Sequence, residues 1–139
     1  MNTQRPDAAG SDVPGKRPAA RDRLPRTRRI TSSREIRALF QRGKRSRTAH
    51  LDVFDFASPL AYPRVGVVVP KHRRSAVERN RLKRRLREVL RQDVLPRLRQ
   101  NGVESDVLIR ARREAYLATF SQLRDELVAW VERKWSHAS

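Results

Sequence analysis

Val65-Gly66-Val67-Val68-Val69-Pro70-Lys71 and, after three intervening residues, Ser75-Ala76-Val77-Glu78-Arg79-Asn80-Arg81-Leu82-Lys83-Arg84-Arg85-Leu86-Arg87-Glu88 form the stretch on which the fold turns. The first part is a β-branched run, short enough for a central strand. In the second, Ser75 and Glu78 make an S-x-x-E capping box that starts a helix just ahead of a run of arginines. Leu82, Leu86, Val89 and Leu90 stand at i, i+4, i+7 and i+8, so one face of this helix packs on a core. At roughly 100° per residue, Asn80, Arg84, Arg87 and Arg91 gather on the opposite side, with Arg81 and Glu88 beside them. Arg79 falls within the arc of the apolar stripe, one turn before Leu82, where it can brace the helix start as well as touch a ligand. Seven of the nine residues from Arg79 to Arg87 are Arg, Lys or Asn. Like charges at i,i+4 repel. A solvated charged face is the plain alternative, but a polyanion would relieve the repulsion, and RNA is the first candidate.

The rest of the chain agrees. Its formal net charge is +18 over 139 residues, with a pI near 11.8, the electrostatic footprint of a nucleic-acid binder. Of 33 basic residues only Lys16, Lys44, Lys71, Lys83 and Lys134 are lysines, and arginine's planar fork suits bidentate phosphate contact. With no cysteine, disulfides and thiolate metal sites are ruled out. No apolar run approaches the roughly 18 residues of a membrane span, and no secretory signal is recognisable at the N-terminus. The expectation is a cytoplasmic protein with no membrane partner and no DNA partner.

Residues 1–25 hold four prolines, two glycines and almost no large apolar side chain. They read as a disordered basic tail, either a nonspecific attractor of phosphate or a solvated extension. A folded domain over 26–136 follows, with regular structure expected from about Ile30. Ser32 to Glu35 forms another capping box, ahead of a helix with Ile36, Leu39 and Phe40 on one face and Gly43 as its stop. His50 to Phe56 alternates as a strand, Leu51 and Val53 facing one way and Phe54 and Phe56 the other. The basic helix runs from Ala76 to about Gln92 and continues as a broken segment to Pro96 or Arg99. Asn101-Gly102 is a turn and Val107-Leu108-Ile109 a strand. Thr119 with Gln122 caps a last helix whose apolar face is Phe120, Leu123, Leu127, Trp130 and Val131. The order α-β-β-α-β-α predicts an α+β fold, a two-layer α-β sandwich over a small mixed sheet.

Catalytic chemistry is hard to find. His50, His72 and His137 have no serine, cysteine or acid nearby in a recognisable arrangement. The carboxylates look like helix caps (Glu35, Glu78) or partners for arginines. Asp52 and Asp55 lie on opposite faces of their strand, and Glu104 and Asp106 bracket a serine at a strand start. Neither pair suits a metal, and no Gly-rich phosphate loop occurs.

The strand and the helix together resemble the protein subunit of bacterial ribonuclease P. The residues that carry the resemblance are Arg64 to Lys71 and Ser75 to Glu88, which match the family's strand-turn-helix with its arginine-asparagine-arginine motif. Phe40 three residues before Gly43, and Ile109-Arg110-Ala111-Arg112 with Ala115, fit in order and spacing, so that the likeness spans about residues 26–135. Three departures stand out. Ile36 occupies a usual aromatic position, Pro70 replaces a small residue, and His72-Arg73-Arg74 replaces a lysine-x-glycine pattern.

The resemblance implies a protein cofactor of an RNA-based endoribonuclease. Its partners would be the catalytic RNA and precursor tRNA, whose 5′ leader is removed, with Mg2+ held mainly by the RNA. It implies a left-handed β-α-β crossover around the motif helix. Carried over by position, Arg79, Asn80, Arg81, Lys83, Arg84 and Arg87 would contact the RNA subunit. Ile36, Phe40 and Phe54 would line a cleft for the leader, with Lys71 and Arg112 near its phosphates. On the residues alone, Phe54 and Phe40 fit ordinary core as well as base stacking. A small basic ribosomal or other structural RNA-binding protein is the alternative class, since Arg-rich α/β domains of this size are common there.

Overall fold

The computed structural model describes residues 24–135, so most of the expected tail and His137 lie outside the described residues. A 3-10 turn (Arg26–Arg28) leads to α1 (Ser33–Arg42), β1 (Lys44–Arg47), β2 (Leu51–Ala57), β3 (Arg64–Val68) and α2 (Ala76–Val89). A π-helical turn (Leu90–Val94), α3 (Leu95–Gln100), β4 (Ser105–Ala111), a second 3-10 turn (Arg113–Leu117) and α4 (Phe120–Trp135) complete the chain. The four strands form one mixed sheet in the order β1-β2-β4-β3, antiparallel except for the parallel pair β3–β4.

Alternation along the strands gives the sheet two unequal faces. Leu51 and Val53 of β2, Val65 of β3, and Val107 and Ile109 of β4 point into the larger core, where Leu82, Leu86 and Val89 of α2 meet Leu123, Leu127 and Val131 of α4. Each fully buried leucine contributes about 1.5–3 kcal/mol. The opposite face carries Phe54 and Leu108 under Ile30 and Leu39, with Ile36, Phe40 and Val68 partly buried around them. A single short helix covers this face, which leaves part of it open.

Three expectations change. β1 was not foreseen, because Lys44-Arg45-Ser46-Arg47 has no apolar alternation. It exists through its ladder to β2, from Lys44 opposite Asp55 to Arg47 opposite Asp52, and its cations guard an exposed sheet edge. The valine run is not central but ends the sheet. Its outer side takes one parallel bridge from Arg29, fastened by the Ile30 N–H to the Val65 carbonyl at 2.8 Å. Gly66 permits this approach, since a Cβ there would lie 2.8 Å from the Ile30 carbonyl oxygen. Leu24, counted with the tail, is buried in the larger core.

Local signals explain the remaining boundaries. Gly43 ends α1 with ordinary extended dihedrals, and its need is space, because a Cβ would lie 2.6 Å from the Leu39 carbonyl oxygen. The break after Val89 is a π turn in which the Leu95 N–H reaches back to Leu90. It widens the backbone just ahead of Pro96, whose ring would clash with the carbonyl four residues earlier in an α-helix. Gly102 turns with φ of 64°. No helix among the described residues is long and apolar enough to cross a membrane.

Candidate nucleic-acid interface

The capping box at the start of α2 is complete: the Glu78 N–H donates to the Ser75 hydroxyl at 3.1 Å, and the Ser75 N–H donates to the Glu78 carboxylate at 3.0 Å. The backbone bond from Ser75, helped by Arg74, holds the Glu78 carboxyl below its ordinary value. Beyond the cap, Asn80, Arg81 and Arg84 are exposed, and Lys83 and Arg87 are half-buried. Among the described residues, carboxylates reach this helix only at its ends, where Glu78 pairs with Arg74 and Glu88 with Arg91. Arg81, Lys83, Arg84 and Arg87 have no ion-pair partner among the described residues. Burial first, then Arg87 and Arg79, push the Lys83 ammonium below its ordinary pKa; burial and Arg29 do the same to Arg87. Arg79 differs, because its Nε donates to the Val69 carbonyl at 2.7 Å and ties the helix to the end of the strand. The bracing role is thus the one its geometry expresses.

On the open face of the sheet, Phe40 of α1 meets Phe54 edge to face with ring centres 5.0 Å apart. The Arg110 guanidinium lies over both rings, at 5.0 and 5.1 Å. Phe54 is only 3% exposed and supports the half-buried Phe40 from below, so it offers no free ring face for a base. Ile36 is half-buried beside them in the same small core. Arg110 was not among the expected cleft residues, although alternation from Leu108 places it on the Phe54 face.

Arg112 does not offer a free fork to phosphate. Its two Nη groups donate to the Leu51, Thr48 and Ala49 carbonyls at 2.6, 2.8 and 2.7 Å and to Asp52 at 3.2 Å. It staples the turn between β1 and β2. Asp52 also receives Arg110 at 3.1 Å and Arg45 at 3.5 Å. Burial would raise the Asp52 carboxyl, but hydrogen bonds and charge from Arg110, Arg45 and Arg112 outweigh it, and its pKa is lowered.

Lys71 is exposed in the loop joining β3 to α2. In this loop His72 and Arg73 take positive φ, 47° and 66°, a conformation costing an L-residue about 1–2 kcal/mol. Tyr116 braces the loop: its hydroxyl donates to the Pro70 carbonyl at 2.7 Å, and Arg74 lies 5.1 Å above its ring. A groove of about 490 Å3 opens below, with Pro70, His72, Arg110 and Arg113 on its walls.

Two further clusters are structural. Arg64, 9% exposed in its side chain, forms a bidentate pair with Asp106 at 3.0 and 2.7 Å and reaches Glu35 at 3.0 Å. Glu35 is therefore drawn to Arg64, and the Ser32–Glu35 box keeps only its first arm, the Glu35 N–H to the Ser32 hydroxyl at 3.4 Å. His50 finds an acid 76 residues away: its Nδ1 is 2.7 Å from Glu126, which also accepts the His50 N–H and the Thr48 hydroxyl. Both Glu126 oxygens are spent fastening the β1–β2 turn to α4. No group of three or more His, Asp or Glu side chains gathers among the described residues to hold a metal.

Residues 24–135 match the family model described as Ribonuclease P. The ribonuclease P protein component of Syntrophus aciditrophicus (strain SB) is 40% identical over 68 residues, which cover 49% of this chain and 57% of that protein. That of Syntrophobacter fumaroxidans (strain DSM 10017 / MPOB) is 35% identical over 101 residues, covering 73% of this chain and 82% of that protein. Among solved structures, the RNase P protein from Thermotoga maritima superposes with a TM-score of 0.62 at 25% identity, covering 76% of this chain and 96% of the other. Sequence match and shared fold run through the same strand, loop and basic helix, and the chain belongs to the ribonuclease P protein family.

Proposed function

We propose that this protein is the protein cofactor of a ribonuclease P ribonucleoprotein, acting in the cytoplasm on precursor tRNA. The observation that carries the reading is the unpaired cationic face of α2 beside a half-covered sheet face bearing Phe40 and Arg110. Asn80, Arg81, Lys83, Arg84 and Arg87 dock on phosphates of the catalytic RNA and release its counterions. Arg79 holds the helix in place for that contact. The open sheet face takes the single-stranded 5′ leader: Phe40, flanked by Ile36, supplies a stacking surface worth about 1–3 kcal/mol per base. Arg110 and Lys71 meet the leader's phosphates, while Phe54 and Arg112 position them from beneath. Leader binding distinguishes precursor from mature tRNA.

Bond cleavage, and the Mg2+ it uses, are assigned to the RNA subunit, as the family resemblance implies, and this chain's part is to bind and position. The cations of α2 and the cleft offset phosphate repulsion and so lower the magnesium the RNA requires. The test is cleavage of a 5′-leader precursor tRNA at low magnesium by the cognate RNA, with and without the protein. Arg81→Ala/Arg84→Ala is the informative variant, since neither residue supports the fold. Stimulation by wild type and its loss in the folded variant is the expected result. No stimulation would overturn the cofactor reading in favour of a structural RNA-binding protein.

A further inference from the structure

The groove below the β3–α2 loop takes its two walls from distant parts of the chain. Pro70 and His72 of the loop form one, and Arg110 and Arg113, near the end of β4 and at the start of the turn after it, form the other. Tyr116 of that turn crosses between them, its hydroxyl donating to the Pro70 carbonyl at 2.7 Å. We propose that Tyr116 is a positioning residue for substrate recognition, setting the width of this groove and fixing the loop that presents Lys71 and His72 to a single-stranded leader. The inference rests on the leader-binding reading and adds a residue that acts through the loop rather than by touching RNA.

Two consecutive carbonyls beyond β3 are gripped by side chains from separate elements, Val69 by Arg79 Nε of α2 and Pro70 by Tyr116, each at 2.7 Å. Just past them, His72 and Arg73 adopt left-handed φ of 47° and 66°. Each such residue costs about 1–2 kcal/mol. The loop's own turn bond, from the Arg74 N–H to the Lys71 carbonyl at 2.8 Å, contributes about 0.5–1.5 kcal/mol and does not offset both. The strained shape therefore persists because its surroundings hold it. Tyr116 supplies three of those contacts: the hydroxyl bond, a ring face 5.1 Å from the Arg74 guanidinium, and an edge-to-face contact with His72 at 6.3 Å. Burial pushes the Tyr116 phenol up, against the opposing charge of Arg79 and Arg74, so the hydroxyl keeps its proton and remains a donor. Arg74 in turn pairs with Glu78 of the capping box, which joins the groove to the start of the basic helix. Without the hydroxyl, relaxed loop shapes compete, and affinity for the leader falls in proportion to the binding shape that is lost.

The test uses the full chain assembled with its catalytic RNA, as wild type, Tyr116→Phe, Arg73→Gly and the double variant. Phenylalanine keeps the ring and removes only the hydroxyl. Glycine takes a left-handed φ without strain, and Arg73 does not line the groove. KM and kcat are measured for a precursor tRNA with a 5′ leader, and the inhibition constant of mature tRNA serves as the leaderless reference. Tyr116→Phe should raise KM for the precursor about 3–10-fold, the worth of one hydrogen bond, while kcat and the mature tRNA constant stay close to wild type. In the Arg73→Gly background the same change should raise KM less than about twofold, because the strain that the clamp opposes is gone. A wild-type KM in Tyr116→Phe would overturn the inference and leave leader binding intact. Equal increases in both backgrounds would also overturn it, since the hydroxyl would then act by touching RNA. Equal weakening toward precursor and mature tRNA, with a lowered unfolding temperature, would reduce Tyr116 to a support of the fold. If the wild-type assembly binds precursor no better than mature tRNA, the leader reading fails and this inference with it.

Discussion

Arginine does opposite work in two regions of this molecule. On the open face of the sheet it is matched: Arg64 locks Asp106 and Glu35, and Arg112 spends its fork on three carbonyls and Asp52. On α2, apart from Arg79 tied to the Val69 carbonyl, the cations are unmatched: Arg81, Lys83, Arg84 and Arg87 have no ion-pair partner among the described residues. Residue type alone does not separate the two. The first set stabilises the fold, whereas the second bears a standing repulsion that only a polyanion relieves. A buried guanidinium needs a carboxylate or carbonyls close by, and a docking guanidinium must keep its fork free.

Substitutions can break this contrast. The largest effect is expected for Arg64→Ala, which strands Asp106 in the interior and should cost about 3–5 kcal/mol in denaturant unfolding. Asp52→Asn should come next, costing about 2 kcal/mol at neutral pH through its charged hydrogen bonds. Because the folded pKa of Asp52 lies below its unfolded value of 3.8, the stability it gives is present above that pH and is lost as pH falls through the folded value. Wild type and variant should therefore converge in acid, and a gap constant with pH in unfolding curves would refute the assignment. Arg79→Ala should cost about 1–3 kcal/mol, with an RNA defect that follows the loss of structure. Smallest in stability is Arg81→Ala/Arg84→Ala, within about 0.5 kcal/mol of wild type. The same variant should make the RNA salt slope shallower by about 2, which sharpens the contrast from the other side. Equal stability losses in Arg64→Ala and Arg81→Ala/Arg84→Ala would erase it.

Much of this was legible in the chain. Helix α2, its capping box and its apolar stripe follow from the spacing of Ser75, Glu78, Leu82 and Leu86, because those signals are local and repeat with the helical period. The two faces of β2 follow from alternation for the same reason. β1 was not legible, since a strand of charged residues at a sheet edge exists only through its partner.

By itself the sequence determined the cationic helix, the strand alternation, the turn at Gly102 and the family resemblance, all of which rest on residues close together in the chain. Tertiary structure alone decided which arginines are spent and which are free, because a partner such as Asp106 for Arg64 or Glu126 for His50 comes from a distant segment. It also decided that Phe54 lies beneath Phe40 rather than open to a base, and that Tyr116 joins the two walls of one groove through Pro70. Burial and pairing are properties of surfaces brought together by folding, and no spacing along the chain encodes them.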